Sequence, residues 1–421
     1  MTISIPDGKQ EKATRIESAK RSRILYIFIG ALSLLVLGLV YAWAIFAVPL
    51  GEAFDWDRSL LSYTFSISMV AFCVGALLGS FITQKISLRA SILTAAVLQV
   101  SGFILTALMA PQGIWALYLF YGVFAGLGCG IGYNAILSTV NLWFPDRIGI
   151  ASGVLMMGFG LGGLILGTVA NFLMEQLGWS ATFFVIGIAS ACVLVILALV
   201  LKKPPADIED LLGSSHKVKK SKQVFVEKKP MLASPLFYFY FLWAVLVFAA
   251  AMTLIGDSKQ VALGVGVDPA TATLLVGLVS LTNGFARVVI GALYDRTSLR
   301  ASMLLAMFAA LASIGGITLA LSYGLPNLFF GAAIFVGFTS GCIPVMSSSF
   351  VRERFGAANY ANNLAVVNFS IAGSALISSV AVSIGRPLGG DLAIYTILLG
   401  VLVLALVDVL IFFKLYYRKE A

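Results

Sequence analysis

Apolar runs of roughly twenty residues, parted by short polar turns, recur from Ile24 to near Phe413. A helix of about 20 apolar residues crosses the hydrocarbon core of a bilayer. The pattern predicts twelve of them, at 24–48, 60–83, 90–110, 114–142, 148–174, 181–201, 235–262, 271–293, 301–322, 327–350, 358–384 and 392–413. Spans 4 and 5 are nearly continuous, separated by the charged turn Asp146-Arg147. The first run is longer than the apolar region of about 7–15 residues in a cleaved leader, so it is read as the first span.

Composition strengthens this picture. Of 421 residues, 60% are hydrophobic and 11% charged, against about 25% charged in a soluble domain. Such a chain cannot cover a water-facing exterior, whereas a lipid-facing one needs no charge. Cys73, Cys129, Cys192 and Cys342 all lie in apolar stretches without CxxC spacing, which points to packing rather than to disulfides or metal. His216, the single histidine, lies in a polar loop, which excludes a His-based metal site and an intramembrane His relay. The chain lacks a Gly-Lys-Ser/Thr sequence, which argues against an ATP-driven pump. No cofactor, no metal and no enzymatic constellation is expected.

Positive charge sorts by side. Of the 28 Lys and Arg residues, 24 fall before the first span, after even-numbered spans or after the last; Arg58 and Arg386 fall in loops on the other side. The positive-inside rule then places both termini in the cytoplasm of a cell (inner) membrane. The net charge of +9 reflects this topology and contact with anionic headgroups. Nucleic-acid binding is not expected, because no stacking motif accompanies the basic loop. The expected organisation is a cytoplasmic tail at 1–23, a six-helix bundle at 24–201, a cytoplasmic linker at 202–234 with a short helix near Asp207 to Leu212, a second six-helix bundle at 235–413 and a tail at 414–421.

The two bundles share sequence. Ser-Leu-Arg-Ala-Ser-Ile-Leu from Ser87 returns as Ser-Leu-Arg-Ala-Ser-Met-Leu from Ser298, 211 residues on. At the same offset Gly126 matches Gly337, Gly130 matches Gly341 and Phe144 matches Phe355. A parallel repeat of two six-span halves gives this pattern. Just before the second copy stand Gly291, Leu293, Asp295 and Arg296, with Arg300 following. This resembles the G-x-L-x-D-R signature of the major facilitator superfamily, and the resemblance implies a fold of two pseudo-symmetric six-helix bundles. Asp295 can accept charge-assisted bonds from a neighbouring helix end in one state and release them in the other. In the first half Ser80, Gln84 and Lys85 stand where Gly, Asp and Arg would be, so the resemblance does not carry the lock there.

A closer resemblance is to the oxalate/formate antiporter family, related to the monocarboxylate transporters. It rests on Gly38-Leu-Val-Tyr41-Ala-Trp43 with Pro49-Leu50, on Gly128-Cys-Gly130-Ile-Gly132-Tyr133-Asn134 with Trp143-Phe144-Pro145-Asp146-Arg147, and on Asn283-Gly284-Phe285-Ala286-Arg287. Arg287 is the one arginine well inside a span, about 12 Å into the helix from Asp295. An intramembrane charge marks function by default. A guanidinium fork matches a carboxylate and does not deprotonate. The resemblance likewise implies carboxylate binding at Arg287, flanked by Asn283 one turn earlier and by Tyr41, Trp43 and Tyr133 as cavity-wall aromatics. A structural pairing of Arg287 with an acid such as Asp257 stands as the alternative.

Relatives commonly carry histidine where Asp257 stands, which makes Asp257 a candidate coupling site or partner of Arg287, with Lys259 as an anion attractor at the outer mouth. Asn283 occupies a position that is an acid in many monocarboxylate transporters, and it cannot titrate. Oxalate-handling members place a lysine in span 11, whereas here Asn359 to Gly385 contains neither Lys nor Arg, with Ile371 near that position. One cavity cation favours one carboxylate. The expected function is therefore secondary transport of small carboxylates, monocarboxylates such as lactate, pyruvate or formate before oxalate, with proton symport or anion exchange. The expected partners are the carboxylate, protons and the bilayer, and the chain is expected to act as a monomer. An oxalate/formate-type antiporter is one alternative, and a sugar or drug transporter of the same fold another. The lone central arginine argues against a drug exporter, and no soluble domain supports a receptor.

Overall fold

The computed structural model describes residues 7–56, 58–205, 207–208, 230–356 and 358–418. His216, most of the basic linker and most of the expected 207–212 helix lie outside these residues. All regular structure among the described residues is helical.

The hydropathy pattern and the helices agree on the spans, with instructive differences at their ends. Helix formation begins at Asp7, well before the apolar run. The polar lead is rich in Ala, Glu, Lys and Arg, all strong helix formers, and Arg21 pairs with Glu17 one turn away at 2.6 Å. The first span is interrupted by a 3₁₀ turn, Gly38–Ala42, and resumes over Trp43–Phe54. The second and third spans are Arg58–Lys85 and Leu88–Met109. The fourth opens at Ile114–Leu117, widens into a π-helical stretch, Tyr118–Ala125, and ends as Gly126–Leu142.

Ile148–Val200 forms a run of 53 residues. At 1.5 Å per residue that is about 80 Å, far beyond a hydrocarbon core of about 30 Å. The run breaks at Gly178, whose φ of 76° is the left-handed region a glycine supplies, and so makes spans 5 and 6. Phe369–Arg418 likewise breaks at Gly389 and Gly390. With the short lead Tyr360–Val367 it makes spans 11 and 12. Spans 7 to 10 are Pro235–Gly264, Pro269–Arg296, Leu299–Tyr323 and Pro326–Phe355.

The repeat seen in sequence is a repeat in geometry. Ser87 and Ser298 both cap their helices, accepting from the amides of Ala90 and Ala301 at 3.0 and 3.3 Å. Gly130 on span 4 lies against the carbonyl of Phe72 on span 2, and Gly341 on span 10 against the carbonyl of Asn283 on span 8. Phe72 and Asn283 are themselves 211 residues apart. Each half thus uses a glycine at the same place to bring two helix backbones together, the close contact that small residues allow in membranes.

The halves meet chiefly where span 5 runs beside span 8 and span 2 beside span 11. Besides Asn134, which donates to the Ala361 carbonyl at 3.1 Å, and Cys73, whose thiol donates to the Asn368 carbonyl at 3.2 Å, the hydrogen bonds that join them lie in three tiers, starting from the face that carries the chain ends. In the first, the Asp295 carboxylate accepts from the amides of Gly149 and Ile150 at 3.1 and 2.9 Å. On the other flank of this tier Ser80 donates to Asn362 at 2.5 Å and Asn362 to Gln84 at 3.2 Å. In the second, two bonds cross: the Asn141 amide donates to Tyr360 at 3.0 Å and the Ser152 and Ser348 hydroxyls lie 2.7 Å apart, with Asn141 tied to Ser152 at 2.8 Å and Ser348 to Tyr360 at 2.6 Å within their own halves. In the third, Arg287 of span 8 donates to the Met156 carbonyl of span 5 at 2.6 Å. The molecule is closed on its termini face.

Candidate functional site

Arg287 lies at the top of these tiers, 1% exposed. A buried guanidinium is tolerable where its donors are satisfied, and here they are satisfied in part. Nε donates to the Asn283 side-chain oxygen at 3.0 Å and Nη1 to the Met156 carbonyl at 2.6 Å. Nη2 is buried and makes no hydrogen bond of normal geometry among the described residues. Asn283 sits one turn before Arg287, where a helix brings side chains onto one face. Its amide nitrogen donates to Ser340 on span 10 at 2.5 Å, and Ser340 in turn donates to the Gly337 carbonyl at 2.7 Å. Asn283 is therefore a strut between Ser340 and the guanidinium, with both ends of its amide engaged.

Aromatic rings surround the charge. The guanidinium carbon lies 5.9 Å from the centroid of Phe159 on span 5, within reach of a cation–π attraction. Phe159 packs against Tyr133 at 4.9 Å, Tyr41 at 5.3 Å and Phe72 at 5.9 Å. Both Tyr41 and Tyr133 lie within electrostatic reach of Arg287. The site draws on spans 1, 2, 4, 5, 8 and 10, and so straddles the two halves.

Not every expected residue joins it. Trp43 is buried in a separate cluster inside the first half, 4.8 Å from the Tyr121 ring, with its indole N–H donating to the Leu61 carbonyl at 3.0 Å. It stands two residues from Tyr41 across the junction of the 3₁₀ turn and the α-helix, a rotation of about 200–240°, so the two rings face different ways. Asp257 is not beside Arg287 either. Its carboxylate pairs with Arg386 at 3.2 Å. Asp257 lies about 10 Å from the Gly264 end of span 7, and Arg287 about 27 Å from the Pro269 end of span 8, so the two differ in depth. Lys259 belongs to the same helix as Asp257, its side chain outside the described residues.

The signature residues form a cluster of their own. Gly291 lies against Gly149, and Asp295 bonds the first-turn amides of span 5. Those amides have no intrahelical acceptor, and the helix dipole favours an anion there. Arg296 is exposed, and the Arg300 guanidinium lies 5.4 Å from the Phe413 ring centroid.

Met156, Phe159, Ser340 and Asn362 were not singled out from sequence. Phe159 and Met156 gain meaning from a neighbour in the other half, which no local pattern records. Asn362 faces Ser80 and Gln84, the positions where the first-half signature departs.

This architecture has relatives among known proteins. The family model described as Major Facilitator Superfamily matches residues 26–379. The uncharacterized MFS-type transporter YhjX of Escherichia coli (strain K12) is 27% identical over 353 residues, covering 83% of this chain and 84% of its own. The oxalate:formate antiporter of Oxalobacter formigenes is 24% identical over 381 residues, 86% of each chain. Monocarboxylate transporter 13 of Rattus norvegicus is 22% identical over 364 residues, 86% of this chain and 79% of its own. Among solved structures, the proton:xylose symporter XylE bound to 6-bromo-6-deoxy-D-glucose superposes with a TM-score of 0.71 at 14% identity, over 91% of this chain and 95% of that one. That likeness shows the fold.

Proposed function

The chain belongs to the Major Facilitator Superfamily, a multi-pass membrane transporter whose relatives are not enzymes, and from that premise we propose that it carries small carboxylates by alternating access, monocarboxylates such as lactate, pyruvate or formate first. The observation that carries this reading is the Arg287 guanidinium, buried at the seam of the halves inside an aromatic shell, with Nη2 making no hydrogen bond of normal geometry among the described residues. A planar fork with an unused N–H fits an oxyanion. The rings limit the size of the group attached to that oxyanion, and a tyrosine hydroxyl can bond a second oxygen function. Relatives named for oxalate, formate and monocarboxylates support the same substrate class.

In the termini-closed state Nη1 holds the Met156 carbonyl of the other half. A carboxylate that takes both terminal nitrogens displaces that carbonyl, so substrate entry loosens the tier nearest the site. The transporter then rocks about the occupied site, and the Asp295 bonds to span 5 part on the termini face, assigned to the cytoplasm. Coupling is by proton symport or by exchange of one carboxylate for another.

Oxalate/formate exchange is the second reading, favoured by the name of one relative. Span 11 weighs against it. Between Asn359 and Gly385 the chain has no cation, and Ile371 is buried and apolar, so a second carboxylate has no counter-charge there. Competition against labelled lactate uptake in proteoliposomes separates the readings. Lactate-sized monoanions should compete better than oxalate; strong oxalate competition with no lactate effect would reverse the order.

A further inference from the structure

A cavity of about 360 Å³ opens on the termini face of the first half, between the turn joining spans 2 and 3 and the end of span 6. Its polar lining is Thr83, Gln84, Ser87, Arg89, Lys202 and Lys203. Three of these are cations and none is an acid. Lys203 donates to the Thr83 carbonyl at 3.4 Å, tying span 6 to span 2 across the cavity, and the Lys202 carbonyl accepts from the Trp143 indole at 2.9 Å. The cations therefore converge on a braced backbone. Among the described residues no carboxylate pairs with any of them. Two acids of the same face are committed elsewhere, Asp146 to Arg23 and Asp207 to Arg15.

The repeat sharpens the point. In the second half Ser298 and Arg300 stand where Ser87 and Arg89 stand, but Phe413 stands where Lys202 is. There the guanidinium of Arg300 sits over the Phe413 ring, and the place is filled by an aromatic. In the first half the ring is exchanged for a second cation facing the same space. Like charges gathered around a cavity repel unless an anion shares them. The 22-residue helix Leu88–Met109 begins at the same place and adds the partial positive charge of its N-terminus. On the rim, Ile86 is 68% exposed, an apolar side chain beside a charged hollow at the end of a membrane span.

We propose that this cavity binds a phosphate-bearing anion, and that the anion is the headgroup of an anionic phospholipid in the leaflet on the termini side. The phosphate lies between Arg89 and Lys202 with Lys203 at its edge, the glycerol occupies the rest of the hollow, and the acyl chains leave past Ile86. The site is separate from Arg287 and is independent of the transported substrate. A bound headgroup joins span 6 to the turn between spans 2 and 3, and so staples together the part of the first half that carries Gln84 and its bond to Asn362.

The test is phosphatidylglycerol titration of the purified full-length protein, read by native mass spectrometry, with phosphatidylethanolamine as the neutral comparison. The double variant Arg89→Gln/Lys202→Gln should bind phosphatidylglycerol about twenty-five-fold more weakly than wild type, since each cation near an anionic headgroup is worth roughly a factor of five. Each single variant should lose part of that, which keeps the test sound if the double variant folds poorly. Lys414→Ala, which removes a cation from the same face of the other half, should leave binding unchanged. In a second arm inorganic phosphate is added to lipid-free protein in detergent and thermal unfolding is followed. Phosphate stabilisation that the double variant loses, without preferential lipid retention, would keep the anion site and overturn the lipid as its source. Equal phosphatidylglycerol retention in wild type and variants, with no effect of phosphate, would overturn the proposal altogether.

Discussion

Three nitrogens of Arg287 meet three different environments: the Asn283 oxygen, the Met156 carbonyl, and, at Nη2, the aromatic shell with no hydrogen bond of normal geometry among the described residues. Lysine keeps the charge but has no planar fork, so it cannot hold the strut, the carbonyl and an anion together. Arg287→Lys should therefore bind monocarboxylate about ten- to a hundredfold more weakly, the worth of a charge-assisted hydrogen bond. Arg287→Ala should do worse. Titration of folded, monodisperse variants checks both, and wild-type affinity in the alanine variant would make the arginine structural. Asn283→Ala keeps the cation and removes its strut, so affinity should fall by about tenfold or less while the protein stays folded. Arg287 was legible in the sequence because a charge inside an apolar run stands out. Phe159 was not, since a phenylalanine in such a run carries no signal until the opposing half is placed beside it. Trp43 lies apart from Arg287 because it shares a motif with Tyr41 but not a helix face. Asp257 pairs with Arg386 rather than Arg287 because its depth along span 7 depends on where the helix ends.

At the scale of helices, the glycine seams do the positioning. A Cβ at Gly341 would run into the Asn283 carbonyl, on the backbone of the residue that orients Arg287. Gly341→Ala should thus cost about 1–3 kcal/mol of stability through overpacking and weaken substrate binding as well. Gly315→Ala, where nothing lies within 4 Å, should be neutral in both. Thermal unfolding and binding measured side by side test the pair. The spans and the repeat were legible because length and apolar run are local properties. The 3₁₀ turn at Gly38–Ala42 and the π stretch at Tyr118–Ala125 were not, because both arise where helices press on one another. The first-half interlock was hidden for another reason: Gln84 and Ser80 depart from the signature, yet they find in Asn362 a neutral partner that only span 11 could supply.

At the scale of the whole molecule, closure of the termini face is a set of bonds that must part once per transport cycle. Ser152 and Ser348 lie 2.7 Å apart across the seam. A Ser152→Cys/Ser348→Cys protein, with the four native cysteines replaced, should lose transport on oxidation and regain it on reduction. Transport untouched by a demonstrated cross-link would show that this face need not open. For orientation, a cysteine at Gln112 should react with an impermeant reagent added outside intact cells, and one at Lys202 only after permeabilisation. The two flanks of the first tier differ in kind, and the difference has a genetic consequence. The donors to Asp295 are main-chain amides, and a Cβ at Gly149 would meet the carboxylate itself. The hydrogen bonds themselves therefore offer no side chain to exchange, and a charge swap at Arg147, which is within electrostatic reach of Asp295 at the start of span 5, cannot restore them. A selection for suppressors of Asp295 loss should return either the carboxylate at 295 or changes elsewhere along the seam, and the Gln84–Asn362 flank, with a mutable partner on each side, is where paired exchanges should accumulate.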